Sequence, residues 1–356
     1  MTSEEDDVGV VDWAWDFCQK CLRNNPVIVV GSGASAIYQL PTMKELGEYL
    51  VREVERDGIP SGGDDIWAEF KGNLEGSGLE KAIDDATLWR HDELYLLVRT
   101  HTWRCIANVD VEVHKLVLSN PNHIALSKLF RHLLTGHEHT ATVVTTNYDR
   151  LVEYAAEAAG YFVRTGFQSG YLGSWKGGSH RVEYWTDQKR VPQETVEIWK
   201  VHGSLDWFLT EDERQVFVPA SKEIPVGSRP LIIPPSIRKM ADVHDEPFRT
   251  TLQRSDEVLQ SASGFFCIGY GFNDDHIQVK LLERAISQRK PVVILAKTLT
   301  AKSRDLIVGS AHNLKFLALE EQEGHGTRMY SHQHRDGEVI EGHHVWDIRH
   351  FVDTVI

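Results

Sequence analysis

What this chain lacks narrows it quickly. It has four cysteines in 356 residues, too few for a disulfide framework. Cys18 and Cys21 form its only C-x-x-C, and a structural zinc site needs a second such pair, which is absent. Both lie in the apolar-periodic run Val11–Leu22, where that spacing makes them packing residues of a helix. No apolar run approaches the roughly 20 residues that span a bilayer. The longest, Pro26–Val30 and Pro291–Ala296, are strand-sized. Basic residues are also short, 38 against 52 acidic ones for a net charge of −14, which disfavours a nucleic-acid grip as the main role. The N-terminus, Met-Thr-Ser-Glu-Glu-Asp-Asp, is acidic where a signal peptide is basic and then apolar, so a cytoplasmic, soluble protein is expected. An apolar content of 41% with 25% charged residues is globular composition and argues against a largely disordered chain.

The order of elements is informative. A helix over about 9–24 leads to the buried strand Val27–Val30 and then to the glycine turn Gly31-Ser32-Gly33-Ala34-Ser35. Thr42 has the character of an N-cap for a helix over Met43–Val54. After a Pro/Gly/Ser-rich breaker at Gly58–Gly63, the pattern stays helical to about residue 136. Strand character returns at Thr142–Thr146, followed by a helix over Arg150–Ala159. Residues 161–237 carry short β-like segments and several tryptophans. Beyond a helix at about 245–262, strand and helix alternate: Phe265–Ile268, His276–Gln288, Val292–Ala296 and Leu314–Leu319. The expected fold is therefore α/β, a Rossmann-like open parallel sheet with helices on both faces and a helical insertion. The expected division is a discontinuous core of 1–58 and 137–320, an insertion of 59–136, and a His-rich segment of 321–356 whose last run, Val345–Ile356, is an amphipathic helix.

Ligands of such sheets bind beyond the carboxyl ends of the strands, so the residues there are the candidates for chemistry. The turn Gly31–Ser35 suits backbone approach to a phosphate, or is simply a tight strand–helix turn; no Gly-Lys-Ser/Thr follows it. Asn147 and Asp149 offer an amide and a carboxylate to a sugar or amide ligand, or else cap the helix after them. His202 ends an apolar strand and precedes Gly203, the position of a general base or of a structural histidine. Gly269-Tyr-Gly271-Phe-Asn-Asp274 is another glycine turn with helix caps. The histidines of the tail, and His137-Glu-His139, lack the spacing of a known zinc site, and no metal is expected.

In this order, each after a strand, these motifs resemble the sirtuin-like superfamily, and more narrowly the sirtuin-like NAD hydrolases of bacterial anti-phage defence. The resemblance rests on Gly31–Ser35 with Leu40-Pro41-Thr42, on Thr146-Asn147-Tyr148-Asp149, on Lys200-Val-His202-Gly203-Ser204, on Ile233-Pro234-Pro235 and on Gly269–Asp274, spanning about residues 27–300. It implies that NAD is the substrate. Gly31, Ser32, Gly33 and Ser35 would cradle the pyrophosphate, and Asn147 would orient the ribose or the attacking water. Asp149 would hold ribose or carboxamide, His202 would be the general base, and Gly269, Gly271 and Asp274 would lie against the adenosine half.

Three departures from protein-deacylating sirtuins favour water over an acyl-lysine peptide as acceptor. The two zinc C-x-x-C pairs of that group are absent, so no zinc is expected. Leu40-Pro41-Thr42-Met43 stands in place of an Ile-Pro-Asp-Phe-Arg stretch. The helical insertion can cap the site. The expectation is an NAD glycohydrolase releasing ADP-ribose and nicotinamide, the toxic effector of a defence system. It would be restrained by homo-oligomerisation or by a partner such as a HerA-type ATPase or a short Argonaute, with no direct role for nucleic acid or membrane. A catalytically silent NAD- or ADP-ribose-binding subunit, and a protein deacylase, are the competing readings.

Overall fold

The computed structural model describes residues 9–135, 138–168, 170–178, 183–185, 190–235, 245–309 and 313–356. In chain order the helices are α1 (Val10–Arg23), α2 (Ser32–Ala36), α3 (Met43–Asp57), α4 (Asp64–Ser77), α5 (Leu79–Asp85), α6 (Asp92–Ser119), α7 (Leu126–Leu133), α8 (Leu151–Ala158), α9 (Phe248–Ser261), α10 (Asp275–Ser287), α11 (Ala301–Ser303) and α12 (Ile348–Thr354). The strands are β1 (Val27–Val30), β2 (Thr140–Thr145), β3 (Phe162–Arg164), β4 (Gly173–Ser174), β5 (Glu183–Trp185), β6 (Arg190–Pro192), β7 (Thr195–Lys200), β8 (Gly203–Thr210), β9 (Gln215–Phe217), β10 (Ser228–Ile232), β11 (Phe265–Ile268), β12 (Val292–Ala296), β13 (Phe316–Gln322), β14 (Gly326–Ser331) and β15 (Glu338–Glu341). The chain forms two units: residues 1–34, 124–143 and 256–356, and residues 35–123 and 144–255.

The first unit carries the parallel sheet expected from the sequence. β1, β11, β12 and β13 pair in parallel, Val27 opposite Phe265, Phe265 opposite Val292, and Val292 opposite Phe316. β1, β11 and β12 are buried along their whole length, which is why they read as continuous apolar runs without alternation. Helix α1 sets Ala14, Cys18, Cys21 and Leu22 on one buried face against β11–β13. Each large apolar side chain so covered contributes roughly 1.5–3 kcal/mol. Both cysteines of the C-x-x-C are thus core residues, and burial pushes the Cys21 thiol up to about 12.

The tail departs from the sequence reading. Residues after 320 do not form a separate segment: β14 and β15 extend the sheet beyond β13 as an antiparallel meander. The histidines there are absorbed locally, His334 Nδ1 lying 2.6 Å from Glu338 Oε1 and His332 Nδ1 3.1 Å from the Phe316 carbonyl. The terminal helix docks on its own unit through Ile348, Phe351 and Val352, with Phe351 edge-on to Phe266.

The second unit holds the helical region. Thr42 caps α3 through a capping box with Glu45. Leu46, Leu50 and Val54 of α3 join Trp67, Phe70, Ile83, Leu88, Leu94 and Val98 in one core. Helix α3 therefore packs with the helices that follow it, although the sequence division at 58/59 sets it apart from them. Beside this core, β3 and β7 pair in parallel, and β10-β8-β9-β4 form an antiparallel sheet over Phe167, Trp207, Leu231, Ile233 and Phe248. Among the described residues no helix is long and apolar enough to cross a membrane.

Candidate functional site

In the second unit the ends of β2 and β7 lie side by side, the Val201 N–H donating to the Thr145 carbonyl at 3.1 Å. Asn147 follows the first strand end by two residues, and His202 follows the second by two. The chain between them is fixed at several points. Leu205 N donates to the Tyr148 carbonyl at 3.0 Å, Tyr148 Oη donates to the Ile233 carbonyl at 2.5 Å, and Ile233 N donates to the His202 carbonyl at 3.0 Å. Gly203 makes the turn after His202 at φ +88°, and a Cβ there would lie 2.1 Å from the Leu231 carbonyl oxygen. Only glycine fits.

Within this frame Ser35, Asn147 and Asp149 form a buried relay. Asn147 Nδ2 donates to Ser35 Oγ at 2.9 Å, and Ser35 Oγ donates to Asp149 Oδ2 at 2.7 Å. The other carboxylate oxygen accepts from Leu151 N at 3.2 Å, tying down the first turn of α8. All three side chains are buried. The relay has a direction. A carboxylate only accepts, so the single hydroxyl proton goes to Asp149 and the serine lone pair receives the amide N–H. The Asn147 carbonyl oxygen is thereby turned away from Ser35.

Burial pushes the Asp149 carboxyl up to about 6; Lys200 opposes this, Asp110 adds to it, and the hydrogen bonds from Ser35 and Leu151 oppose it. Lys200, fully buried, donates from Nζ to the Asp149 carbonyl and to Glu153 Oε1 at 2.9 Å. Burial likewise raises Glu153 above the usual carboxylate range, against the pull of Lys200. Next in the chain, Arg150 donates from N and Nε to Asp110, both at 2.7 Å, and from Nη1 to Asp206 at 2.8 Å; Tyr154 Oη adds a 2.6 Å bond to Asp110. Trp103, two turns before Asp110 on α6, donates from Nε1 to the Leu205 carbonyl. The long helix thus holds the chain on both sides of the strand ends.

The sequence pointed to Ser35, Asn147, Asp149 and His202, and the second unit gathers the first three by direct hydrogen bonds and places His202 on the neighbouring strand end. Lys200, Glu153, Arg150, Asp110 and Asp206 were not singled out for a role. Lys200 had a signal, a cation in an otherwise apolar strand; Asp110 had none, since helical periodicity gives a face and not a partner.

In the first unit, the turns after β1 and β11 pack on each other. Gly31 N donates to the Ile268 carbonyl and Gly33 N to the Gly269 carbonyl, both at 3.0 Å. A Cβ on Gly31 would lie 2.5 Å from the Gly269 oxygen, and Gly269 itself has φ +58°. These glycines serve a close approach of backbones, and the amides of Gly31 and Gly33 donate into that contact. Ser32 is exposed beside them. Gly271 accepts from Thr300 Oγ1 at 2.7 Å. Asp274 takes the helix-capping role, its carboxylate accepting from Ile277 N at 3.1 Å at the start of α10. Among the described residues no group of three His, Cys, Asp or Glu side chains is arranged to hold a metal ion. His137 lies outside the described residues.

Comparison with curated proteins found no match. Among solved structures, the chain is similar to one described for the mechanism and regulation of Sir2 enzymes, at 16% identity, 83% of this chain, 88% of that chain and a TM-score of 0.40. It is similar to a Sir2 homologue in complex with NAD, at 16% identity, 80% and 84% coverage and a TM-score of 0.37. A Sir2 protein bound to an acetylated peptide aligns at 14% identity, 80% and 87% coverage and a TM-score of 0.38. Residues 141–317, which include Asn147, Asp149, His202 and Gly269, match the model of the SIR2-like domain.

Proposed function

We propose that this protein cleaves the nicotinamide–ribose bond of NAD and passes the ribosyl centre to water, giving ADP-ribose, nicotinamide and a proton. The observation that carries this reading is the directed relay Asn147–Ser35–Asp149 at a strand end, with Asn147 and Asp149 in the segment that matches the SIR2-like domain. Departure of nicotinamide leaves an oxocarbenium-like centre, which needs oriented dipoles and a proton acceptor more than a strong nucleophile. Asn147, with its amide orientation set through Ser35, supports the ribose or the incoming water. His202, on the adjacent strand end, takes the proton. Asp149 sets the polarity of the relay, and Ser35 is the hydroxyl beside it suited to the phosphate side.

Water is favoured over an acyl-lysine by the sequence departures at Leu40–Met43 and by the absence of a second cysteine pair. The resemblance to defence-associated NAD hydrolases further supports a cytoplasmic, oligomeric effector that depletes NAD during phage infection under control of a HerA-type ATPase or similar sensor.

The test is nicotinamide release from NAD by the purified protein, alone and with the product of any neighbouring sensor gene. Release that disappears in Asn147→Ala and His202→Ala, with folding retained, supports the assignment. No release under either condition rejects it, and activity on an acetylated peptide without water-dependent cleavage would make the protein a deacylase.

A further inference from the structure

The strand that ends at His202 and the turn that holds Asn147 and Asp149 are joined by one side chain. Lys200 is fully buried, and its Nζ donates to the Asp149 carbonyl and to the Glu153 carboxylate. A buried ammonium is poorly suited to adding stability, because removal from water offsets much of what its ion pair gains. What this one does is geometric: it links β7 to the peptide that carries the relay's carboxylate.

We propose that Lys200 is a positioning residue of the site, holding Asp149 against the strand of His202 so that its carboxylate stays an acceptor for Ser35 and the Asn147 amide keeps one orientation. This rests on the reading of the preceding subsection. The Asp149 carboxylate is faced by Ser35, by Leu151 N at the start of α8, by Asp110 from α6 and by Lys200 from β7; Lys200 also pairs with Glu153 of α8, and Arg150 bridges Asp110 and Asp206 of β8. The Lys200 ammonium acts to keep the Asp149 carboxyl ionised. Were Asp149 protonated, its O–H would donate to Ser35 Oγ, the serine proton would turn toward Asn147, and the amide would present the wrong end.

The experiment uses the full chain. Lys200→Met alone leaves Glu153 buried without its partner, so the double variant Lys200→Met/Glu153→Met is made beside it, together with Lys200→Arg. The Asp149 carboxyl is followed by carbon NMR, its signal identified by its loss in Asp149→Asn, and nicotinamide release is followed from pH 5 to 9. Removing Glu153 takes away a negative charge and by itself lowers the Asp149 midpoint, so a rise in the double variant belongs to Lys200. The expected result is a midpoint raised by about one pH unit. At pH 7 the ionised fraction of Asp149, and kcat with it, falls about twofold and is regained by pH 9, KM stays unchanged, and Lys200→Arg stays close to wild type. A midpoint and a pH profile unchanged in the double variant overturn the proposal. If the wild-type protein releases no nicotinamide, the NAD reading fails, and the NMR midpoint still decides whether Lys200 governs Asp149.

Discussion

Ser35 and Asp149 are 114 positions apart in the chain and share a buried hydrogen bond of 2.7 Å. One hydroxyl so placed determines how an amide on a third residue is turned. Ser35→Ala removes the donor to Asp149 and the acceptor for Asn147 together, so each of these buried groups loses one hydrogen bond, at a cost of about 1–3 kcal/mol each. The expected outcome is a urea midpoint lowered accordingly and nicotinamide release reduced at least about tenfold, the effect of some 1.4 kcal/mol lost from transition-state orientation. Turnover equal to wild type would show that the relay does not set the site.

How far the site was legible in the sequence follows from the same pair. Buried parallel strands announce themselves as apolar runs, and the polar residues just beyond them, Asn147, Asp149 and His202, stand out because nothing apolar requires them. Gly31, Gly33 and Gly269 were legible as turn residues, but the contact between their two turns was not, because glycines that let two turns touch have the same pattern as glycines that let a phosphate approach. The antiparallel strands β8–β10 were blurred because β8 is buried along nearly its whole length, which erases the alternation that marks a strand with one wet face. The Arg150 and Lys200 networks depend on partners dozens of residues away, and no local pattern encodes them.

The raised Asp149 carboxyl has a consequence for stability. Its proton affinity is higher in the folded state, about 6, than the usual 3.8 of an unfolded aspartate. Between these values the native state binds the extra proton, so this group's contribution to stability falls as pH rises from about 4 to 6 and stays low above it. Asp149→Asn removes the titration. Its stability relative to wild type is expected to rise across that window, by at most about 3 kcal/mol, as read by urea denaturation at pH 4.5, 5.5 and 6.5. Nicotinamide release is expected to be lost, because an amide N–H then faces Ser35. A pH-independent difference between the two proteins would show that Asp149 titrates normally.

Two neighbouring glycines separate packing from permissiveness. Gly269 has φ +58° and a Cβ there would lie 2.0 Å from Ala34 N, whereas the nearest atom to a Cβ on Gly271 is the Thr300 methyl at 3.1 Å. Gly269→Ala must part the turns after β1 and β11 and is expected to lower Tm by about 10 °C or to yield insoluble protein, since clash and left-handed strain add. Gly271→Ala asks only for a small shift of one methyl group, and its Tm is expected within about 3 °C of wild type. Equal effects of the two substitutions, measured by thermal melting, would contradict the close contact.

The most strongly held part of the second unit is expected to be the pair of acids around Arg150. Its guanidinium is almost wholly buried, bridging Asp110 of α6 and Asp206 of β8, and Asp110 also accepts the Arg150 backbone N–H and the Tyr154 hydroxyl. Burial disfavours every charge here, but the two carboxylates outweigh it at Arg150 and hold its proton more firmly than usual. Arg150→Met leaves both acids without their cation and is expected to cost about 3–5 kcal/mol, far more than the net worth of the intact network. Asp110→Asn keeps an acceptor for the backbone N–H but turns an NH2 toward Arg150 Nε and the Tyr154 hydroxyl, and with Asp206 still paired to Arg150 it is expected to cost less, about 1–3 kcal/mol. Because the two changes touch one network, the double variant should fall short of their sum by at least about 1 kcal/mol. Urea denaturation followed by tryptophan fluorescence measures all three. Costs that simply add would mean that Arg150 is held by Asp206 alone, and that α6 does not anchor the turn carrying Asn147 and Asp149.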